Sequence, residues 1–246
     1  VSPTYSTSND PDIRKTAFTY QTLDTLFSAG AGGNPSRIWR SLSELNNTTK
    51  IDVTKKYIFL GNDARLKFGV SHNYKQRDYE ILFFDIQFFS TQSWDNPDPA
   101  TVLNDENLYP NKPNSIYYQS GNNIPNPNAY ESNVNNLAGY VSKEFNLLPR
   151  FKSILGVRIE NYLQRHTGRD QLFASGDEIN GRNLDNDKVL ESTDFFPSVN
   201  FIFELTDEQN LRASYSRTIA RPSFKELSFA QILDPISNRI FNEIGR

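Results

Sequence analysis

The sequence predicts an all-β fold, an antiparallel transmembrane β-barrel fragment of about seven or eight strands. Two observations support this prediction. Several segments alternate apolar and polar residues with the two-residue period of a strand that has one apolar face. Short turns also alternate along the chain with long polar loops, so antiparallel strands would place every turn at one end and every loop at the other. We expect the turns to be periplasmic and the loops extracellular.

Composition is compatible with this fold. The 246 residues are 37% hydrophobic and 13% aromatic. A mean hydropathy of −0.62 leaves no room for a spanning helix of about 20 apolar residues, but barrel strands that face a polar lumen give a far weaker signal. The absence of cysteine excludes disulfides and thiolate metal sites. A net charge of −3 argues against a nucleic-acid partner.

The ends of the sequence predict an excerpt. Val1 opens the chain without a signal-like leader, and no methionine occurs. We therefore expect residues 1–246 to be part of one barrel domain, with the plug domain and the remaining strands outside this sequence.

The first sixty residues have the weakest pattern. We predict a strand end at Val1–Ser8, a turn at Ser8–Asp12 and a flexible loop at Ala29–Pro35. Ile38–Tyr57 contains strand-like pieces and one short turn of helical spacing, and we favour a strand toward its end.

The clearest strand follows a turn at Leu60–Asp63. One face carries Ala64, Leu66, Phe68, Val70 and His72, and the other carries Arg65, Lys67, Gly69, Ser71 and Asn73. We expect Tyr79–Phe89 to continue it. Ser90–Glu131 then loses all periodicity and contains six of the chain's 13 prolines, which predicts a long extracellular loop.

Two hairpins are predicted in the second half. Ser132–Phe145 and Phe151–Gln164 flank a turn at Leu147–Arg150, and a second long polar loop is expected at Arg165–Asp194. Phe195–Leu205 and Leu211–Ile219 flank a turn at Thr206–Asn210. The strands of this last hairpin match the roughly 9–11 residues needed to cross the hydrocarbon of a bilayer, with the odd positions facing lipid.

An ordered series of motifs resembles a known family. Phe196-Pro197-Ser198-Val199-Asn200, Leu211-Arg212-Ala213-Ser214-Tyr215-Ser216 and Ala220-Arg221-Pro222-Ser223-Phe224 are similar to the barrel motifs of TonB-dependent outer-membrane transporters. The segments Arg65–Val70, Ala138–Val141 and Leu155–Glu160 add to this resemblance. Arg217, Arg221 and Pro222 match a family motif at the end of a strand. We expect them to be structural, with Pro222 ending the ladder because it has no N–H.

The resemblance implies energised uptake of a scarce nutrient, such as a siderophore, glycan or peptide, across the outer membrane of a Gram-negative bacterium. The implied partners are outer-membrane lipid, TonB acting through an N-terminal region outside this sequence, the nutrient, and in some systems a surface lipoprotein. No cofactor is expected. Two alternatives remain open, a passive porin-like barrel and a soluble β-sandwich module that binds a ligand.

The candidate ligand contacts are aromatic residues of the first long loop. They are Trp94, Tyr109, Tyr117 and Tyr118, with Tyr130 at the end of the loop. Tyrosine and tryptophan on polar loops can stack on sugars or aromatic ligands, although packing of the loop against its neighbours is the more common role. With only His72 and His166, in unlike contexts, we expect no catalytic pair and no enzyme activity.

Overall fold

A computed structural model describes residues 2–15, 18–21, 24–27, 35–89, 98–108, 114–230, 232–234 and 239–241. The strands are β1 (Ser2–Lys15), β2 (Phe18–Gln21), β3 (Asp24–Phe27), β4 (Ser36–Phe59), β5 (Asn62–Phe88), β6 (Ile116–Ser120), β7 (Ala129–Leu148), β8 (Phe151–Arg169), β9 (Asn183–Glu204), β10 (Asn210–Ser216), β11 (Ile232–Asp234) and β12 (Arg239–Phe241). Two short helices, α1 (Pro99–Val102) and α2 (Gln171–Ala174), and a 3₁₀ turn (Asp105–Asn107) lie in the connections.

One antiparallel sheet of eight strands contains most of the chain. Its order is β1-β4-β5-β7-β8-β9-β10, and β6 pairs with the far end of β5. The pairs β2-β3 and β11-β12 form two small separate ribbons. The all-β antiparallel fold and the number of strands predicted from the sequence are therefore confirmed.

No helix in the described ranges is long and apolar enough to cross a membrane.

The three predicted short turns all lie at the same end of the sheet. Leu60 and Gly61 form a two-residue turn with φ of 53° and 78°, the left-handed conformation that a tight hairpin requires at both positions. Pro149 and Arg150 join β7 to β8, and residues 205–209 join β9 to β10, closed by a bond from Leu205 N to Gln209 O of 2.9 Å. The turn positions are thus confirmed.

The predicted long loops are too long. Instead of a loop over Arg165–Asp194, β8 continues to Arg169 and β9 already begins at Asn183. The stretch Ser90–Glu131 contains α1, the 3₁₀ turn and β6, and β7 begins at Ala129. The ends of β8 and β9 were missed because mostly polar side chains lie on both of their faces, so no apolar alternation marks them.

Two further predictions near the beginning of the chain were wrong. The turn expected at Ser8–Asp12 lies inside β1, where a register shift between Asp10 and Ile13 interrupts the pairing with β4. The helical spacing after Ile38 belongs to β4, which is a strand throughout its 24 residues. Pairing on both sides outweighs such local spacing. Most of the predicted loop Ala29–Pro35 lies outside the described residues.

The sheet has an apolar outer face and a polar inner face. Side chains of directly paired residues point to the same face. One outer row consists of Ile51, Val70, Gly139, Ile159 and Phe195, and the next row toward the turns consists of Val53, Phe68, Val141, Val157 and Pro197. Many of these apolar side chains are exposed, including Ile51 at 60% and Val70 at 53%. The odd-position parity predicted for Phe195–Leu205 is that of the outer face.

The apolar character of the outer face ends abruptly. The row beyond Ile51 and Phe195, away from the turns, contains Thr49, His72, Leu137, Asn161 and Thr193. Residues 51–59 of β4 therefore cover the band, which is apolar apart from Lys55 and Lys143 in the row of Leu66, Leu155 and Val199. Its length is close to the roughly 9–11 residues of strand that cross a bilayer. The strands themselves differ from the predicted length, since β4, β5, β7, β8 and β9 run 19–27 residues and β10 only 7. The predicted length fits only the apolar band.

Aromatic side chains mark the turn end of the apolar band. On the outer face they are Tyr57, Phe59, Phe145, Phe151, Phe201 and Phe203. The rings of Phe59 and Phe145 lie 5.4 Å apart, and those of Phe151 and Phe201 lie 5.5 Å apart. The ammonium of Lys143 lies 3.4 Å from the ring centroid of Phe59. Aromatic girdles of this kind flank the apolar band of outer-membrane barrels.

A glycine on the inner face allows one side chain to cross a neighbouring strand. The hydroxyl of Tyr140 on β7 donates to Asp52 Oδ1 on β4 over 2.6 Å. Its ring must pass over β5 at Gly69, where a Cβ would come within 2.5 Å of Ile51 O and 2.8 Å of Tyr140 Cε1. Gly69 therefore leaves space that no other residue type would leave.

We expect Gly69→Ala to lower the free energy of unfolding by about 1–3 kcal/mol, since it overpacks the sheet beneath Tyr140. Gly139→Ala is the matched control, because its Cβ would meet nothing closer than Gly69 O at 4.0 Å. Urea unfolding of the two variants measures the difference. Equal destabilisation would show that the crossing of Tyr140 does not depend on Gly69.

Candidate functional site

The chain leaves the sheet after β10 and runs across the inner face. We call residues 217–230 the inner segment. Arg217 N still donates to Pro197 O of β9 over 3.2 Å. The predicted role of Pro222 in ending the ladder remains a prediction, and β10 itself ends six residues earlier at Ser216.

Arg221 attaches the inner segment to β8 and β9. Its Nη1 donates to Glu160 Oε2 over 2.6 Å, and its Nη2 donates to Asp194 Oδ2 over 2.9 Å. The guanidinium also lies 4.3 Å from the ring centroid of Tyr162. Arg158 Nε holds the other oxygen of Glu160 over 2.7 Å. Glu160 therefore joins two cations, and Arg221 bridges two strands.

Phe224 forms the apolar attachment of the inner segment. It is 5% exposed and packs in a cluster with Tyr130, Val134, Tyr162 and Ala230. The guanidinium of Arg77 and the ammonium of Lys75 lie 5.2 Å and 5.6 Å from the centroid of its ring. The segment thus covers the inner face of four neighbouring strands, β5, β7, β8 and β9.

The two cations beside Phe224 belong to an ion-pair group on β4 and β5. Glu44 accepts bonds from Arg77 Nη2 over 2.6 Å and from Lys75 Nζ over 2.9 Å. Burial raises the pKa of Glu44, but the bonds and charges of Lys75 and Arg77 outweigh burial, so this pKa is lowered. Glu44 consequently holds both cations over the face of the Phe224 ring.

Two buried polar side chains beneath the segment have unused hydrogen-bonding atoms. Gln164 is fully buried and accepts from the Tyr162 hydroxyl over 3.0 Å, yet its Nε2 has no partner. His166 is 1% exposed, and neither ring nitrogen has a partner. The His166 ring lies between Tyr130, at 5.3 Å, and Phe229, at 6.4 Å. Its burial lowers the pKa of His166 to about 4.

The predicted loop aromatics do not form one site. Trp94 and Tyr109 lie outside the described residues. Tyr118 is half-buried, with its hydroxyl bonded to Arg37 and its ring packed edge-on against Trp39 and Phe84 at about 6 Å. Tyr117 is 40% exposed and packs against Phe89 at 4.7 Å. Contact of Tyr117 and Tyr118 with a ligand stays a prediction.

The motif residues are divided between two environments. Arg221 is part of the inner-face cluster, whereas the side chain of Arg217 is exposed. Sequence reasoning missed Tyr162, Gln164 and His166 as members of a shared cluster. The available signal was their even position in β8, which continues the polar face of Arg158 and Glu160.

Two other kinds of site, an outer cavity and a metal centre, receive less support. A cavity of about 710 Å³ opens on the outer face beyond the apolar band, between the polar ends of β4, β5, β7 and β8. Tyr130 contributes to its lining, but Tyr162, Phe224 and Arg221 do not. Among the described residues, no group of three or more His, Asp or Glu side chains is arranged to hold a metal ion.

Comparison with known proteins identifies one family. Residues 2–242 match the family described as TonB dependent receptor-like, beta-barrel. No curated protein matches the sequence. One similar solved structure is described as the structure of the FpvAI-pyocin S2 complex, with a TM-score of 0.44 and 18% identity. That alignment covers 74% of this chain, which spans only 20% of the length of the solved chain.

We expect Arg221→Ala to release the inner segment. Loss of the guanidinium removes a charged partner from Asp194 and one of the two cations that hold Glu160, so the segment loses its polar attachment to β8 and β9. The readout is the rate of maleimide labelling of a Ser228→Cys variant, since Ser228 is fully buried in the segment and the sequence has no other cysteine. Labelling should rise roughly tenfold or more with Arg221→Ala and change little with Arg217→Ala. Equal rates in both variants would refute an anchoring role for Arg221.

We expect the burial of His166 to make stability depend on pH. The pKa of about 4 in the fold lies below the unfolded value of about 6.5, so unfolding binds a proton between these values. The contribution is fully present above about pH 6.5 and falls by about 3 kcal/mol as the pH drops to 4. The difference in unfolding free energy between the wild type and His166→Phe measures it. A difference that does not change over this range would contradict burial of a neutral His166.

Proposed function

Because this chain belongs to the TonB dependent receptor-like β-barrel family, we propose that it forms the barrel portion of an outer-membrane transporter that takes up a scarce nutrient. Outer-membrane transport is the activity that membership of this family implies. We further propose that TonB supplies the energy through residues outside this sequence, and that the substrate is a siderophore, glycan, peptide or similar compound. The proposed location is the outer membrane of a Gram-negative bacterium.

The observation that supports this proposal most is the division of the sheet into two faces. An apolar band of about one bilayer's thickness, with aromatic side chains at its turn end, is suited to contact with lipid. Opposite the band, the inner face carries Arg65, Lys67, Ser71, Arg158 and Asn200, which are suited to a water-filled lumen. Among the described strands, β1 and β10 each pair on one side only, which fits a sheet that further strands extend into a closed barrel.

The structure bears differently on the two alternatives, the soluble β-sandwich and the passive porin-like barrel. A soluble β-sandwich would bury its apolar face against a second sheet. In the described chain this face remains exposed, so the structure disfavours a sandwich. A passive porin-like barrel shares the two-faced sheet, and the distinction between it and an energised transporter lies in dependence on TonB.

The test is a genetic one in the source bacterium. Strains lacking the full-length gene, the tonB gene or both are grown with a limiting supply of iron, complex glycans or peptides. We expect the deletion to impair growth on at least one nutrient, with the double mutant no worse than the tonB mutant. An uptake defect that adds to the tonB defect would instead favour passive diffusion.

A matched pair of substitutions tests contact with lipid. Val199→Arg places a charge on the outer face near the middle of the band, where arginine costs about 2–4 kcal/mol. Asn200→Arg places the same charge on the inner face, where it can stay hydrated. We expect Val199→Arg to reduce heat-resistant folded barrel in outer membranes severalfold, while Asn200→Arg has little effect. The reverse order would mean that the inner face contacts lipid.

A further inference from the structure

The polar side chains of β8 form a continuous ladder under the inner segment. We call Arg158, Glu160, Tyr162, Gln164 and His166 the β8 ladder, because they occupy successive inward positions of one strand. At one end of this ladder, the carboxylates of Glu160 and Asp194 and the ring of Tyr162 surround the guanidinium of Arg221. Two carboxylates and an aromatic face are the groups that bind a planar cation best.

Arg221 occupies this position without satisfying all of its donors. Its two terminal nitrogens are bonded to the carboxylates, but Nε is buried and has no acceptor. A buried donor left unpaired is destabilising. Arg221 therefore fits this position well but not optimally, and a ligand guanidinium that satisfies all of its donors could replace it.

The rest of the ladder supplies a second, independent observation. Gln164 Nε2 and both ring nitrogens of His166 are buried and unpartnered among the described residues. Unpaired polar groups of this kind are rare in native proteins and mark sites where a partner is missing. They lie on the same face of the same strand as the cation position, so a single extended ligand could contact all of them.

The inner segment is attached in a way that allows its release. Its contacts with the sheet are made by the side chains of Arg221, Phe224, Phe229 and Ala230, and its backbone bond to β9 is made at Arg217. Internal bonds such as Ser228 N to Lys225 O, over 3.1 Å, would persist after detachment. The strand that carries the β8 ladder is held by backbone pairing with β7 on one side and β9 on the other.

We propose that the β8 ladder and Asp194 form a binding site for a ligand that carries a guanidinium group beside hydrogen-bonding polar groups, and that the inner segment fills this site in the absence of ligand. The chemical class is an arginine-bearing peptide or a similar guanidino compound. Its guanidinium replaces that of Arg221, and its polar groups pair with Gln164 and His166. This inference rests on the proposed function, because the ligand must reach the inner face through the lumen.

The experiment measures binding to the purified full-length protein in detergent by calorimetry. The probe is argininamide, and citrulline amide is the matched control that lacks the charge. We expect Arg221→Ala to bind argininamide at least tenfold more tightly than the wild type, since the internal competitor is gone. Adding Glu160→Gln and Asp194→Asn should abolish this gain, and citrulline amide should bind none of the proteins measurably.

A folded Arg221→Ala protein that does not bind argininamide would overturn the proposal, as would binding that persists without the two carboxylates. Heat-resistant migration verifies folding of each protein. If Arg221→Ala does not fold, Phe224→Ala weakens the apolar attachment of the segment, and argininamide should then bind more tightly than in the wild type. No gain in that variant would also refute the proposal. Binding in detergent requires neither TonB nor energised membranes, so a failed uptake experiment gives a separate result.

Discussion

Backbone hydrogen bonding in apolar surroundings is the constraint on which the rest of the structure depends. A strand that passes through a bilayer has no water to satisfy its N–H and C=O groups, so each strand must be paired along its length. The long, nearly uninterrupted ladders from β4 to β9 meet this requirement. Such ladders force side chains to alternate between two faces, which separates the apolar band from the polar inner wall.

The sequence predicted those parts of the fold that alternation marks. The hairpin of β9 and β10, the face of Phe68 and Val70, and all three short turns followed from the two-residue period and from turn residues. The alternation predicts only what lies in the apolar band, however. Beyond Thr193 and Asn161 most of the outer side chains are polar as well, so the strand ends looked like loops. Pairing with neighbouring strands determines their structure.

The inner-face cluster was predicted only in part. The motif around Arg221 marked a position of importance, and its structural role was expected, but its partners lie 61 and 27 residues earlier in the chain. No local pattern connects Arg221 with Glu160 and Asp194. The β8 ladder was readable as a polar face, whereas its coverage by Phe224 depends on the path of an irregular segment. The alternating polar positions of β8 can thus be predicted from the sequence, whereas their contacts with Arg221 and Phe224 arise only in the folded chain.

The most direct measurement of the two-faced sheet is a nitroxide scan of residues 194–204 in the full-length protein in lipid. Collisions with oxygen, which concentrates in hydrocarbon, are compared with collisions with a water-soluble nickel complex. The account predicts that oxygen access is highest at the odd positions from Phe195 to Phe203 and nickel access at the even positions. An accessibility profile without a two-residue period, or with the opposite phase, would contradict it.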